Sequence, residues 1–221
     1  MHNLEEIHKN LKLNYGSLQE ELPEQIMTAR FLTGNENILE IGGNIGRNSL
    51  VIASILSKYN NNNFVSMESN PDIAKQLFEN RDLNNFNFHI ECSALSEKPL
   101  IQKDWNTSEF DLINNKIPEG HIIVNTITWE QLINKYNILF DTLILDCEGA
   151  FFYILRDMPY ILENINLIII ENDFIDEEHK KFIDNILINN NFYILYSEPG
   201  GWGYCEPMFY QVWKRNPLIN K

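Results

Sequence analysis

Short apolar runs alternate with longer amphipathic segments along the chain, and this pattern predicts a regular succession of strands and helices. The apolar runs tend to end in a polar or acidic residue, as buried strands do when they enter a turn. The predicted strands are residues 37–41, 63–68, 86–91, 142–147 and 167–171, and the predicted helices are residues 22–32, 45–58, 71–80 and 151–162. Such alternation predicts a parallel sheet covered by helices on both faces.

Two parts of the chain depart from this alternation. Residues 192–197 and 208–213 are β-rich runs separated by a glycine-rich loop, which predicts an antiparallel hairpin. Residues 95–131 are long and polar with one weak strand candidate at 122–128; we interpret them as an insertion between strands 3 and 4, with a small hairpin over the ligand crevice as one form it can take. With residues 1–33 as a helical lead-in, the whole chain of 221 residues is expected to form a single domain.

The turn after the first strand carries the most specific signal. Residues 38–46 read Ile-Leu-Glu-Ile-Gly-Gly-Asn-Ile-Gly, a strand that leads through a glycine turn into a helix, where backbone N–H groups can meet a nucleotide-like ligand. Gly42 and Gly46 lack the Cβ that would block close approach. The carboxylate of Glu40 favours a cationic ligand, S-adenosylmethionine, over NAD, and the full Gly-x-Gly-x-x-Gly pattern of NAD sites is missing. The alternative is a turn that only packs a helix onto the sheet.

Acidic residues follow several of the predicted strands, at the edge where open α/β sheets bind ligands. They are Glu40, Glu68, Asp146, Glu148 and Glu171. A carboxylate in the position of Glu68 can accept hydrogen bonds from both hydroxyls of a ribose, although it could instead cap the helix at Pro71, as Asn70 could.

Asp146 and Glu148 are candidates to take the proton of an alcohol acceptor. Asp146 could alternatively cap the helix that begins near Ala150. A cluster of Asp146, Glu148 and Glu171 could also hold a hard divalent cation, but no spacing demands one, and no metal is assigned.

Composition narrows the class of protein. The net charge of −14 argues against a nucleic-acid partner, because neutralising phosphates needs clustered Lys and Arg. Three widely separated cysteines predict neither disulfides nor a zinc site and suit a reducing compartment. The N-terminus resembles no signal peptide, and no apolar run approaches a membrane span, so a cytoplasmic protein is expected. The sequence leaves the oligomeric state open.

Two further sets of residues can be explained without a role in function. His121 and His179 are lone histidines in polar segments and are expected at the surface. Trp202 and Tyr204 lie in the glycine-rich loop, where they could form a wall for the acceptor or fold onto the core.

Taken together, these motifs resemble the FkbM family of S-adenosylmethionine-dependent methyltransferases. Residues 146–150, Asp-Cys-Glu-Gly-Ala, look like that family's Asp-x-Glu-Gly-Ala segment. Residues 40–46 resemble its Asp-x-Gly-Ala-Asn-x-Gly loop, residues 68–71 its Glu-Pro-Asn-Pro, residues 94–96 its Ala-Leu-Ser, and residues 167–171 its apolar strand ending in Glu. The resemblance covers residues 17–175, with departures at Glu40 for Asp, Ser69 for Pro, and Phe151 for a second Glu.

The resemblance implies a class I methyltransferase fold of the α/β class: a Rossmann-like, doubly wound, mostly parallel sheet with a C-terminal antiparallel hairpin. It also implies S-adenosylmethionine as cofactor, with Asp146 near the methyl sulfonium and Glu148 orienting the acceptor or taking its proton. The cofactor-binding residues that it implies are Glu40, Gly42, Asn44 and Gly46 for the methionine portion, Glu68 for the ribose, and Cys92, Ser93 and Ala94 for the adenine. Ser69 and Asp146 are also expected to bind the cofactor.

The expected reaction is O-methylation of a sugar or glycan hydroxyl. The alternatives are methylation of another small molecule, a lipid or a protein, or a scaffold that binds the cofactor without turnover.

Overall fold

The computed structural model describes residues 1–174 and 176–217, and its helices and strands alternate largely as predicted. The helices are α1 (Leu4–Asn10), α2 (Leu22–Phe31), α3 (Arg47–Ser57), α4 (Pro71–Leu83), α5 (Trp129–Tyr136), α6 (Ala150–Asp157) and α7 (Glu177–Asn189). The strands are β1 (Ile38–Ile41), β2 (Phe64–Met67), β3 (His89–Glu91), β4 (Ala94–Leu95), β5 (Leu100–Lys103), β6 (Asn106–Glu109), β7 (Ile122–Val124), β8 (Thr126–Ile127), β9 (Thr142–Leu145), β10 (Leu167–Glu171), β11 (Phe192–Glu198) and β12 (Tyr210–Arg215).

Seven strands form the main sheet in the order β11-β12-β10-β9-β1-β2-β3. The five strands from β10 to β3 are parallel, whereas β12 runs antiparallel to both of its neighbours, β10 and β11. The predicted parallel sheet and C-terminal antiparallel hairpin are therefore confirmed. Because the parallel strands share one direction, the carboxyl ends of β1, β2, β3, β9 and β10 meet at one edge of the sheet.

The main sheet separates two apolar layers, since side chains alternate between the faces of a strand. Ile38, Ile144 and Ile169 point into the layer that contains α1 to α4. Leu39 and Leu143 point into the opposite layer, with α5, α6 and α7. Helices on both faces of the sheet follow the prediction and leave the carboxyl edge as the open side.

The predicted insertion forms two small sheets. β5 pairs antiparallel with β6 and with β7, and β4 pairs in parallel with β8. The weak strand candidate at 122–128 is thus a pair of short strands. Ion pairs tie the insertion to α6, because Glu109 of β6 contacts Arg156 and Lys98 contacts Asp157.

Some element boundaries differ from the predictions, and two helices, α5 and α7, were not predicted. The helix predicted at 151–162 ends as an α-helix at Asp157 and continues as a 3₁₀ helix, Pro159–Asn164. Pro159 has no N–H to donate and disfavours helical geometry in the residue before it. Strand 3, predicted from residue 86, begins at His89.

Among the described residues, no helix combines the length and apolar character required to span a bilayer.

Candidate active site

A cavity of about 880 Å³ opens at the carboxyl edge of the main sheet. Its wall contains eight of the eleven residues predicted for the site: Gly42, Asn44, Glu68, Ser69, Ser93, Ala94, Asp146 and Glu148. Within the described part of the chain, the remaining three, Glu40, Gly46 and Cys92, do not belong to that wall. The topology therefore brings together most of the predicted residues, which come from four separate segments.

The glycine turn between β1 and α3 forms the floor of this cavity. Gly42 has a φ of +92°, and a Cβ at this position would overlap the backbone carbonyl oxygen of Asp146. Gly46 has a φ of +96°, and a Cβ there would overlap the side chain of Leu77 on α4. The two glycines thus allow close approach of other parts of this chain, and their contact with a ligand stays a prediction.

Glu68, at the end of β2, fixes the turn through its carboxylate. Its Oε2 accepts a hydrogen bond from the backbone N–H of Asn44 at 3.0 Å, and its Oε1 accepts one from the N–H of Asn70 at 2.8 Å. Burial raises its pKa, which these two hydrogen bonds partly oppose. Each oxygen retains a lone pair that can accept a further bond from the cavity.

The helix after Glu68 is capped by a different side chain. Oδ1 of Asn70 accepts from the N–H groups of Asp72 and Ile73 at 2.9 and 3.4 Å, and Pro71 opens α4. Glu68 is thus not needed as that cap, which leaves its carboxylate on the cavity wall.

One rim of the cavity combines predicted and unpredicted residues. Ser69 donates a hydrogen bond to Oε1 of Gln102 at 3.0 Å, so the small sheet of the insertion contacts the loop after β2. Ser93 donates instead to Glu91, at 2.7 Å. Gln102 and Trp105 also line the cavity, and the Trp105 side chain is about half exposed. The only sequence signal for Trp105 was a tryptophan in an otherwise polar insertion.

Glu40 lies beneath the turn and outside the described wall of this cavity, and its contact with the cofactor stays a prediction. As the third residue of β1 it points into the same layer as Ile38. There its carboxylate accepts hydrogen bonds from Ser49 and from Ser66, the latter at 2.6 Å. Burial raises the pKa of Glu40 to about 7, although both hydroxyls lower it. Glu40 thus ties β1 to α3 and β2.

This buried carboxyl predicts a specific pH dependence of stability. The folded protein holds the Glu40 proton more tightly than the unfolded chain does. The contribution of the protonated Glu40 carboxyl to the free energy of unfolding is therefore complete below pH 4.5 and is lost as the pH rises through 7. A shift from 4.5 to about 7 corresponds to about 3 kcal/mol. Glu40→Gln should flatten the decline of the free energy of unfolding between pH 5 and pH 8.5, as measured by urea denaturation. Parallel curves for variant and wild type would contradict this assignment.

Carboxylates dominate the opposite end of the cavity. Asp146 follows β9 and Glu171 ends β10, and these strands are adjacent, with Leu145 opposite Ile170. Glu24 of α2 completes a group in which one carboxylate oxygen from each residue lies within 4.8 Å of the others. Sequence reasoning missed Glu24, since nothing in α2 marks which acid faces the sheet edge.

Burial and mutual repulsion perturb these acids strongly. Burial raises the pKa of Asp146 well above its usual range, and the nearby charges of Glu21 and Glu24 raise it further. Burial and the contact with Glu24 likewise raise the pKa of Glu171. Burial raises the pKa of Asp173 to about 7 and also raises that of Glu148. Such perturbed carboxyls in a cleft are typical of functional sites.

Asp146 does not cap the helix that follows it. Gly149 is the N-cap of α6, and its N–H donates to Oδ1 of Asp173 at 2.7 Å. The Asp146 carboxylate forms no hydrogen bond to another side chain or backbone group in residues 1–174 and 176–217, and it faces the cavity. The capping alternative is therefore wrong, and Asp146 remains available for chemistry.

The lone histidines and loop aromatics lie away from the cavity. His179 stacks on Phe152 with ring centroids 3.6 Å apart, and neither it nor His121 belongs to the wall described. Trp202 and Tyr204 are exposed, so they do not fold onto the core. They are not part of the described cavity wall, and their role as a wall for the acceptor stays a prediction. Tyr210 of β12, which was not predicted, lines the cavity instead.

Comparison with known proteins supports the fold. No protein family model matches the chain, and no curated protein matches it. Its structure is similar to ribosomal protein L11 methylase from Lactobacillus delbrueckii subsp. bulgaricus, with a TM-score of 0.53 and 13% identity, covering 94% of this chain and 84% of that chain. It is also similar to an O-methyltransferase from Bacillus cereus in complex with SAH, with a TM-score of 0.50 and 15% identity, covering 95% of this chain and 88% of the other.

A third similar structure is a tRNA methyltransferase from M. jannaschii, with a TM-score of 0.50 and 11% identity, covering 93% of this chain and 52% of that chain. At these identities the likeness concerns the fold alone. The chain has the Rossmann-like fold of methyltransferases, as predicted, whereas the resemblance to the FkbM family stays a prediction from sequence motifs.

Proposed function

We propose that this chain is an S-adenosylmethionine-dependent methyltransferase that acts on an oxygen acceptor, with a sugar or glycan hydroxyl as the favoured substrate. One observation carries the proposal. A single cavity at the carboxyl edge of a methyltransferase fold joins the Glu68 carboxylate at one end to the carboxylates of Glu24, Asp146 and Glu171 at the other, which have no basic partner among the described residues.

The cavity suits a cationic donor. Seven carboxylates line the described wall, against one basic side chain, Arg47, which already pairs with Glu20 and Glu21. An anionic lining stabilises a sulfonium and opposes a pyrophosphate, which favours S-adenosylmethionine over NAD. When bound, this cofactor supplies a methyl group on positively charged sulfur.

Each part of the wall has a role under this proposal. The Glu68 carboxylate would accept hydrogen bonds from two ribose hydroxyls, and its bonds to Asn44 and Asn70 hold it in position for this. The turn at Gly42 and Asn44 would hold the methionine portion. Ser93 and Ala94 would border the adenine.

Asp146 and Glu148 would orient the acceptor hydroxyl and take its proton. Both line the cavity, and burial raises the pKa of each, so each holds a proton more tightly than an exposed carboxylate does. Since most of the acceleration in a displacement comes from alignment, the chain's main task is to hold the hydroxyl in line.

Charge and the FkbM resemblance support the choice of acceptor class. A neutral hydroxyl can approach the acidic end, whereas phosphate groups would be repelled by it. The similar M. jannaschii protein is a tRNA methyltransferase, so fold alone leaves nucleic acid open as an acceptor. The lining of this cavity and the net charge of −14 favour a sugar.

Calorimetry with S-adenosylmethionine and NAD, side by side on the full chain, tests the cofactor. We expect saturable binding of the first and none of the second; tight NAD binding would overturn the assignment. Incubation with methyl-labelled cofactor and a panel of sugars, nucleotide sugars and oligosaccharides tests the acceptor. Label found only on lipid, protein or RNA would replace the sugar, and label on no acceptor would favour a cofactor-binding scaffold.

A further inference from the structure

We propose that a second cavity, between the insertion and α6, binds an apolar group attached to the acceptor sugar. This side cavity has a volume of about 290 Å³, close to the lower end of the range of about 300–1,000 Å³ that is typical of small-molecule sites. Strands β5 and β6 of the insertion form one wall, and α6 forms the other. The inference rests on the proposed function, because it takes the main cavity as the site of the methyl acceptor.

The side cavity adjoins the main cavity beside the proposed proton acceptors. Four residues line both cavities: Leu95, Thr107, Ala150 and Ile154. Ala150 begins α6 only two residues after Glu148, and Ile154 lies one turn further along the same face of that helix. A substituent on a sugar ring whose hydroxyl lies at Glu148 can therefore extend into the side cavity.

The inner lining of the side cavity is apolar. It contains four buried side chains, Leu95, Leu100, Ile154 and Met158, and the partly exposed aromatic ring of Tyr153. An apolar substituent placed against these side chains is removed from water, which is favourable. A sugar hydroxyl in the same place would lose its hydration without gaining a hydrogen-bond partner. The lining therefore favours an aryl or alkyl group over a second sugar ring.

The charges around the side cavity are nearly balanced, in contrast to the acidic main cavity. Glu109 pairs with Arg156 and with Lys98. Asp157 pairs with the same two basic side chains. Glu97, the other charged residue of the described wall, is exposed to water. Because these ion pairs leave little net charge, the side cavity favours a neutral group over a cation or an anion.

The test compares phenyl and methyl glycosides of the same sugars on the full chain. Matched pairs from a panel of pentoses and hexoses are titrated into the protein, and their affinities are measured by ligand-observed NMR. We expect the phenyl glycosides that bind to do so at least about tenfold more tightly than their methyl counterparts, since one methylene in an apolar pocket is already worth about tenfold or more. Equal affinities, or no binding of any phenyl glycoside, would overturn the inference.

Two variants locate the bound phenyl group. Ser108→Trp adds a bulky side chain to the wall of the side cavity, and Tyr153→Ala removes an aromatic contact from it. Each should abolish most of the preference for phenyl glycosides, whereas the control Ser197→Trp should keep it. Ser197, like Ser108, is an exposed serine in a β-strand, and it belongs to neither described wall. Circular dichroism checks the folds, and one folded variant suffices. A preference that the folded variants retain would overturn the inference.

Calorimetry with S-adenosylmethionine on the same proteins separates this inference from the proposed function. Ser108 and Tyr153 are not part of the described wall of the main cavity, so both variants should bind the cofactor as the wild type does. Cofactor binding without a preference for phenyl glycosides would contradict only the side cavity. A preference that Ser108→Trp removes, in a protein that does not bind S-adenosylmethionine, would contradict only the methyltransferase.

Discussion

Replacing Glu68 with alanine should weaken S-adenosylmethionine binding by at least about 100-fold. The proposed pair of charge-assisted hydrogen bonds to the ribose is worth about 1.5–3 kcal/mol each, and about 1.4 kcal/mol corresponds to a tenfold change in affinity. Calorimetry on the purified variant measures the loss.

The fold should survive this substitution. Glu68 lines an open cavity, so water can reach the N–H groups of Asn44 and Asn70 that lose their acceptor. The matched control is Glu163→Ala, because Glu163 is exposed and is not part of the described cavity wall. If Glu68→Ala binds the cofactor as tightly as this control, Glu68 has no ribose role.

The second large effect is expected at Asp146. Asp146→Asn keeps the size of the side chain but removes its charge, so cofactor binding should change little while turnover falls by about 10²–10⁴-fold. The measurement is kcat with the acceptor identified by methyl label, together with cofactor affinity by calorimetry. A loss in affinity without a loss in kcat would place Asp146 in cofactor binding instead.

The control for Asp146→Asn should make the same change, aspartate to asparagine, at a position away from the cavity. Asp72→Asn serves, since Asp72 is exposed in the first turn of α4 and is not part of the described cavity wall. An undiminished rate in Asp146→Asn would mean that another group takes the proton, and Glu148 would be the next residue to substitute.

The sheet could be predicted from sequence because its signal is local. Residues 143–145 and 167–170 are apolar throughout, as expected of strands buried on both faces, and because the two strands are parallel their carboxyl ends lie at the same edge. The acidic residues that follow β2 and β9 were therefore placed correctly at the open edge. By contrast, α7 contains many charged residues, and its buried face is visible only once the sheet is present.

The differences between the predicted site residues and the described cavity wall have equally physical causes. We grouped Glu40 with the acids at strand ends, but Ile41 still follows it within β1. Because side chains alternate between the faces of a strand, the Glu40 side chain points into the layer that contains α1 to α4. Glu24 was missed because its place at the cavity depends on where α2 packs against the sheet. The pattern of residues within α2 does not reveal that packing position. Cys92 precedes Ser93 by one residue, and only the second belongs to the described cavity wall.

The central claim is that the cavity holds S-adenosylmethionine across the glycine turn, with its ribose on Glu68. A crystal structure of the chain with bound S-adenosylhomocysteine tests this most directly. The account predicts both ribose hydroxyls within hydrogen-bond distance of the Glu68 carboxylate, and the sulfur directed toward Asp146. A ligand bound elsewhere, or one whose ribose lies away from Glu68, would contradict it.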